Sequence, residues 1–293
     1  FDARIGADIY TSGDDLGEAD TLSRASPARS ITLRYPLAKN TDQATHILEP
    51  VLQISWADTL GDTPRNEDST RSEFDEGNLL SFSRFSGQDA VETGLRTTVG
   101  LNYSRTGKDG WHYALSAGKR FRADTDDDFA ATTGLVNRSS DWLLAAQVKF
   151  NDALTLTNRA VVQDDLTFQR NDLRLSNQTA DWRLASSYYW SQADTDLPNT
   201  DFAELTLDGS YRFDRYWSAQ GDLRYDFNES TAARAGFGVS YENECIVVGA
   251  AVSRRFTSST NLDPTTDFDL TVSLKGFSTG RSRGTMEKSH RCN

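Results

Sequence analysis

Long apolar runs are missing from this sequence. No stretch approaches the roughly 18 apolar residues that a membrane-crossing helix needs, so transmembrane helices are excluded. Histidine is scarce, and His46, His112 and His290 are scattered without ligand spacing, so no zinc site is indicated. The two cysteines, Cys245 and Cys292, suit an oxidising compartment but are too few for a disulfide-dense fold. No glycine-rich loop follows a strand and opens a helix, which removes nucleotide-binding readings. Positive charge is in deficit, and a net charge of -12 argues against a nucleic-acid partner. Two motif-like fragments fail on inspection. Ser116-Ala117-Gly118-Lys119 fits an S-x-x-K pattern, but its companion motifs are absent and strand alternation puts Ser116 and Lys119 on opposite faces. The tract Asp124-Thr125-Asp126-Asp127-Asp128 lacks the glycine and the closing glutamate of a calcium loop. No catalytic, metal or cofactor site emerges, and the chain reads as a non-enzyme.

Aromatic residues are plentiful instead, with 15 Phe, 10 Tyr and 6 Trp in a chain that is only 37% hydrophobic. Such a composition suits strands with one apolar and one wet face better than helical cores. The alternation is explicit from Leu95 onward. Leu95, Thr97, Val99, Leu101 and Tyr103 share one face, with Arg96, Thr98, Asn102 and Ser104 on the other. Trp111 to Phe121 and Trp142 to Phe150 repeat the pattern. In the hairpin from Leu205 to Phe227, Leu205, Leu207, Tyr211 and Phe213 alternate with Asp208 and Arg212, and Leu223 and Tyr225 with Asp222 and Arg224. A period of two places each set on its own surface, so one face must meet an apolar medium and the other water.

Roughly fifteen or sixteen strands of about 9–12 residues are expected, with aromatics near their ends, as in outer-membrane barrels. The fold class is therefore all-β, a transmembrane antiparallel β-barrel, and the opening at Phe1 in mid-strand suggests the C-terminal portion of a larger one. Barrel strands are expected over residues 1–277, followed by a basic tail over 278–293. Tight turns at Asn151-Asp152, Asp214-Arg215 and Glu242-Asn243 would be periplasmic, and the polar stretches 191–201 and 257–266 external. The tract 124–128 falls where this count calls for a short turn. Pro36 and Pro50 suggest strand ends or bulges, and Trp56 to Glu76 reads as a long loop. The last strand presents Phe268, Leu270, Val272 and Leu274 against Asp267, Asp269 and Lys275, and closes at Gly276-Phe277.

One stretch is more specific than alternation. From Pro64 to Tyr103 come Asn66-Glu67-Asp68-Ser69, the acidic Phe74-Asp75-Glu76 with Asn78-Leu79-Leu80, the turn Arg84-Phe85-Ser86-Gly87-Gln88-Asp89, then Glu92-Thr93-Gly94-Leu95-Arg96. In this order they resemble the signature of the LptD family, outer-membrane proteins that place lipopolysaccharide on the bacterial surface. The region Tyr241–Phe277 is similar to that family too, with Cys245 opening the penultimate strand ahead of Arg254-Arg255-Phe256.

The resemblance implies a translocon that takes lipopolysaccharide from a periplasmic LptA-like bridge, with an LptE-like lipoprotein as plug, and delivers it among outer-membrane lipids. It implies that the last strand, Asp267 to Phe277, is one lip of a lateral gate. It also implies a disulfide role for Cys245. Glu244 stands where a second adjacent cysteine would be, and whether Cys245 bonds Cys292 or another domain stays open. The lumen-facing candidates are Arg96, Asp208, Arg212, Asp222 and Arg224. A passive porin would share the alternation, and a barrel enzyme would need a Ser/His/Asp set that the scattered histidines do not supply. Without its missing strands the piece is not expected to fold stably.

Overall fold

A computed structural model describes residues 1–13, 19–62, 64, 74–85, 87–125, 129, 133–193, 201–256 and 263–275. Its strands in chain order are β1 Asp2–Gly13, β2 Ala19–Arg34, β3 Leu37–Asn40, β4 Ala44–Ala57, β5 Leu60–Gly61, β6 Gly94–Gly107, β7 Trp111–Arg122 and β8 Trp142–Phe150. These are followed by β9 Leu154–Val162, β10 Phe168–Gln178, β11 Trp182–Ser191, β12 Phe202–Arg212, β13 Trp217–Asp226, β14 Thr231–Glu242, β15 Ile246–Arg255 and β16 Thr265–Leu274. All belong to one 16-stranded sheet, ordered β1-β2-β4-β6 and then consecutively from β7 to β16, with β3 beside β4 and β5 beside β2. The fold is all-β, as the alternation requires.

Two compact units divide the chain: residues 1–151, 156–173 and 190–202 form the first, and 152–155, 174–189 and 203–293 the second. In the first, β6 pairs with β7 in a register that sets Gly100 opposite Gly118 and Thr98 opposite Arg120, and β7 pairs with β8 with Gly118 opposite Leu143. The apolar face stays uncovered: Leu95, Leu101, Leu115, Phe121, Trp142 and Leu144 are all exposed. In the second unit, Leu207 of β12 stands opposite Leu223 of β13, Tyr211 opposite Ala219 and Asp208 opposite Asp222. Leu207, Tyr211, Phe213, Trp217 and Phe227 are exposed in the same way. Water-soluble proteins seldom leave apolar area so contiguous, because each Å² kept in water forfeits about 25 cal/mol.

Turn chemistry fixes the tight end of the hairpins. Asp214 Oδ1 accepts from the backbone N–H groups of Tyr216 and Trp217 at 2.7 and 2.9 Å, and Asn243 Oδ1 accepts from those of Cys245 and Ile246 at 2.9 and 2.8 Å. Asn151 adopts φ 47°, the left-handed conformation that asparagine tolerates. Tight turns 179–181, 213–216 and 243–245 join consecutive strands of the second unit, and 108–110 joins β6 to β7 in the first, whereas the longer connections 62–93, 123–141, 192–201 and 256–264 include residues outside the described ones.

β7 ends at Arg122 and β8 begins at Trp142, so the connection here is long where the sequence count called for a short turn, and Asp126–Asp128 of the acidic tract lie outside the described residues. At its flanks Arg122 donates its N–H to the Arg138 carbonyl at 2.7 Å and Phe121 bridges to Ser139, so the last residues before β8 lie against the end of β7. Pro36 falls in the break between β2 and β3, as expected. Pro50 instead lies inside β4, opposite Leu101, where its carbonyl still accepts from Tyr35 at 3.2 Å.

Candidate functional site

The signature stretch packs against the polar face of the first unit through residues 74–85 and 87–92, while 65–73, with Asn66-Glu67-Asp68-Ser69, and Ser86 lie outside the described residues. Its turn is closed reciprocally: Asp75 Oδ1 accepts from Gly77 and Asn78, at 2.9 and 3.0 Å, while Asn78 Oδ1 accepts from Asp75 at 3.1 Å. Arg84 then gathers the end of this turn. Its Nη2 donates to the carbonyls of Asn78, Leu79 and Ser81, at 3.1, 2.8 and 3.3 Å, a use for which the planar guanidinium fork is well shaped.

Arg84 Nη1 also donates to Glu92 Oε1 at 2.7 Å, and the Arg84 backbone N–H reaches the same oxygen at 3.0 Å. The other oxygen, Glu92 Oε2, meets Arg122 Nη2 at 3.1 Å, Arg96 Nη1 at 3.5 Å and Arg120 Nη1 at 3.6 Å. Gly94, at φ +86°, turns the chain so that Arg96 Nη1 can also donate to the Glu92 carbonyl at 2.8 Å. All five side chains are at most 5% exposed, so one carboxylate is the shared partner of four guanidiniums in a dry interior. Burial pushes the Arg84 guanidinium below its ordinary value, and the neighbouring Glu92 opposes that shift. Breaking such a cluster by removing one member is expensive, because the remaining charges stay buried.

Apolar contacts complete the seat. Phe74, Phe85, Ala90, Phe129, Leu135, Leu143 and Val161 form a buried cluster with Leu79 and Val136 against it. Phe85 and Phe129 stack at 4.2 Å with planes 3° apart. Leu79 lies over Gly118 so closely that a Cβ there would stand 2.4 Å from Leu79 Cδ2, and the facing Gly100 extends the notch. Two ties reach further along the sheet. Arg159 Nη2 pairs with Glu76 Oε1 at 2.8 Å, and Arg170 Nη2 donates to the Phe74 carbonyl at 2.7 Å. Burial raises the Glu76 carboxyl, but its bond to Arg159 prevails and leaves it below the ordinary value.

A separate clamp holds the turn. Arg24 of β2, 5% exposed, donates to the Gln88 and Asp89 carbonyls and to Asp8 Oδ2 and Tyr10 Oη, the last two at 3.1 and 2.7 Å. Beside it a cavity of about 460 Å³ opens between β1, β2 and β4 and residues 80–91.

Of the residues singled out from sequence, Arg84 and Phe85 are buried in the hub, Asp89 lends its carbonyl to Arg24, and Gly87 lines the cavity. Arg96, a lumen-facing candidate, is buried in the hub beside Glu92. Asp208, Arg212, Asp222 and Arg224 all lie on β12 and β13 of the second unit. Arg224 Nε meets Glu204 Oε2 at 2.6 Å, Asp222 Oδ2 meets Arg234 Nε at 3.5 Å, and Asp208 and Asp222 line a cleft with Arg183. Arg212 is exposed. On β16, paired with β15, Phe268, Leu270, Val272 and Leu274 are 58–81% exposed, with Asp267 at the β15 partner Ser253. Gly276, Phe277 and Cys292 lie outside the described residues, and no free cysteine is present among those described. Glu92, Arg120, Arg122, Leu79 and Arg24 were not singled out as site residues. Arg120 and Arg122 sharing one face of β7 was the available signal, and the β6–β7 register then sets Arg96 opposite Arg122.

A two-faced antiparallel sheet with aliphatic and aromatic side chains uncovered on one side and a charged, roofed face on the other defines a β-barrel protein of the outer membrane. A family model described as "LptD: LPS transport system D" matches residues 3–196, and the chain belongs to that family. The "LPS-assembly protein LptD" of Vibrio vulnificus strain YJ016, and that of strain CMCP6, are each 22% identical over 303 residues. That match takes in 92% of this chain and 38% of each relative, so the chain spans about two fifths of their length. Among solved structures, an engineered Rh. blastica porin gives a TM-score of 0.32 at 15% identity, covering 92% of this chain and 96% of the porin. The "Copper transporter OprC" gives 0.37 at 12% identity, covering 86% of this chain and 48% of its own.

Proposed function

We propose that this chain is the part of a lipopolysaccharide translocon that receives the lipid from a periplasmic bridge and releases it into the outer leaflet. The observation that carries this reading is the signature segment itself, seated on the polar face through Glu92 in a chain of the LPS transport system D family. A passive pore has no need of a roof fixed by buried ion pairs. An amphipathic lipid does need a wet face for its sugars and a seam through which its acyl chains leave.

That seam is assigned to β16. It is the last strand in the sheet order, and its side chains are exposed on both faces. An unpaired edge is costly in lipid, so a strand that must part from its neighbour needs few hydrogen bonds to it. The tight-turn end is taken as periplasmic and the end bearing 62–93 as external. Residues 1–277 are assigned to the barrel and 278–293 to a basic tail. An LptE-like lipoprotein would fill the lumen, where Asp208, Arg212, Asp222 and Arg224 offer both signs of charge, and an LptA-like bridge would deliver the lipid. Cys245, beside the tight turn 243–245, is where disulfide exchange on the periplasmic side can reach it, either with Cys292 or with another domain.

The test is to fix the seam. A cysteine replacing Asp269 is oxidised to a second cysteine on the strand that adjoins β16 in the full-length protein, and lipopolysaccharide is followed to the cell surface. Surface delivery should stop on oxidation and resume on reduction. Delivery unaffected by a fully formed cross-link would refute the seam.

A further inference from the structure

The cavity between the sheet and the signature turn is built for a hydroxylated ligand. Its wall on the sheet side carries Ser26 Oγ and Gln53 Oε1, two buried oxygens with no hydrogen-bond partner, in a residue, Gln53, that is only 5% exposed. Gln53 cannot simply swing away, because its Nε2 is committed to Thr32 Oγ1 at 3.1 Å and this holds Oε1 in place. Buried polar atoms are nearly always satisfied, so a pair of orphans lining an open space points to a partner that enters it.

We infer that this cavity is a saccharide subsite, taking a short stretch of hydroxyl-rich glycan that donates to Gln53 Oε1 and exchanges hydrogen bonds with Ser26. The opposite wall supplies Phe82, an apolar ring surface on which the C–H face of a sugar can rest, together with Ser81 and Ser83. At about 460 Å³ the space is in the usual range for small ligands, ~300–1,000 Å³. Charge does not favour a phosphate: Asp2 and Asp8 line the cavity with Arg4, and the neighbouring Arg24 is already committed to Asp8 and to the turn carbonyls. An acyl chain fits no better, since it would leave both orphan oxygens unsatisfied. The Arg24 clamp on the Gln88 and Asp89 carbonyls keeps the two walls at a fixed spacing, which prearranges the site. The inference rests on the translocon reading and deepens it, because it says which part of the lipopolysaccharide meets the signature turn.

The test replaces Phe82 of the full-length protein with photoreactive benzoylphenylalanine. Two labelled probes are compared, the core oligosaccharide freed from lipopolysaccharide by mild acid and the lipid A released with it. The oligosaccharide should be captured, unlabelled oligosaccharide should compete, and Gln53→Met with Ser26→Ala should lower capture at least fivefold. Capture of lipid A in its place, or oligosaccharide capture that neither competitor nor substitution reduces, would overturn the subsite. Should the double variant fail to fold, competition in the otherwise unaltered protein decides alone. Surface delivery in unirradiated cells is scored in parallel: normal delivery with no oligosaccharide capture removes only the subsite, whereas no delivery by the unaltered protein removes the translocon reading itself.

Discussion

Glu92 sits where four guanidiniums meet, and its neutralisation should show how much of the roof depends on it. Glu92→Gln keeps the shape but leaves Arg84, Arg96, Arg120 and Arg122 without their shared carboxylate. A loss of about 3–5 kcal/mol is expected, the range for breaking a buried pair from one side. Denaturant unfolding, with tryptic cleavage at Arg84 as a local readout, measures it. At Gly118, an added methyl must displace Leu79, whose Cδ2 lies 2.4 Å from the Cβ position. Gly118→Ala should cost about 1–3 kcal/mol, as overpacking does. Adding Leu79→Ala should recover part of that loss, and a double-mutant cycle without coupling would contradict the notch. The tie between Glu76 and Arg159 is pH-dependent with a definite sign. Because the folded Glu76 carboxyl lies below its unfolded value of 4.5, its contribution is complete above that value and fades as pH falls through the lower folded one. Protease access to the segment around Glu76 should therefore rise on acidification below about pH 4.5 and stay flat from pH 6 to 8.

For the strands, the two faces of β6 make opposite predictions one residue apart. Leu101→Arg places a charge on the uncovered apolar face and should cost about 2–4 kcal/mol near mid-membrane. Asn102→Arg, on the polar face near Glu49, should be tolerated. Yield of folded, heat-modifiable protein in the outer membrane compares the two. These faces were open to a reader of the sequence because a period of two needs no tertiary knowledge: Leu95 to Tyr103 and Leu205 to Phe213 declare their sides by themselves. Connections were less open. The region from Ala123 to Asp141, where the count called for a short turn, carries Phe129, Leu135 and Val136, which serve the small core under the signature segment. Glu92 was visible as part of a motif but not as a hub, since its partners Arg120 and Arg122 come from a strand some 30 residues on and only the β6–β7 register brings them back. The cavity was invisible for the same reason, being made of β1, β2, β4 and a turn that no local rule places together.

For the molecule as a whole, the account rests on oil lying against one face of the sheet and water against the other. Two consequences reach past the described strands. Cys245→Ser in the full-length protein should shift its mobility in non-reducing electrophoresis, and no shift would remove the proposed disulfide role. A roofed and plugged translocon should pass almost no steady ionic current in planar bilayers, and a large constant conductance would favour a passive pore. The two-sidedness itself is measured most directly with spin labels in the full-length protein in liposomes, at Leu101, Leu115 and Leu144 and at Asn102, Ser116 and Ala145. The first three should relax with oxygen, which partitions into lipid, and the other three should be shielded from it. Equal oxygen access at both sets, or access greater at 102, 116 and 145, would contradict the assignment of these faces.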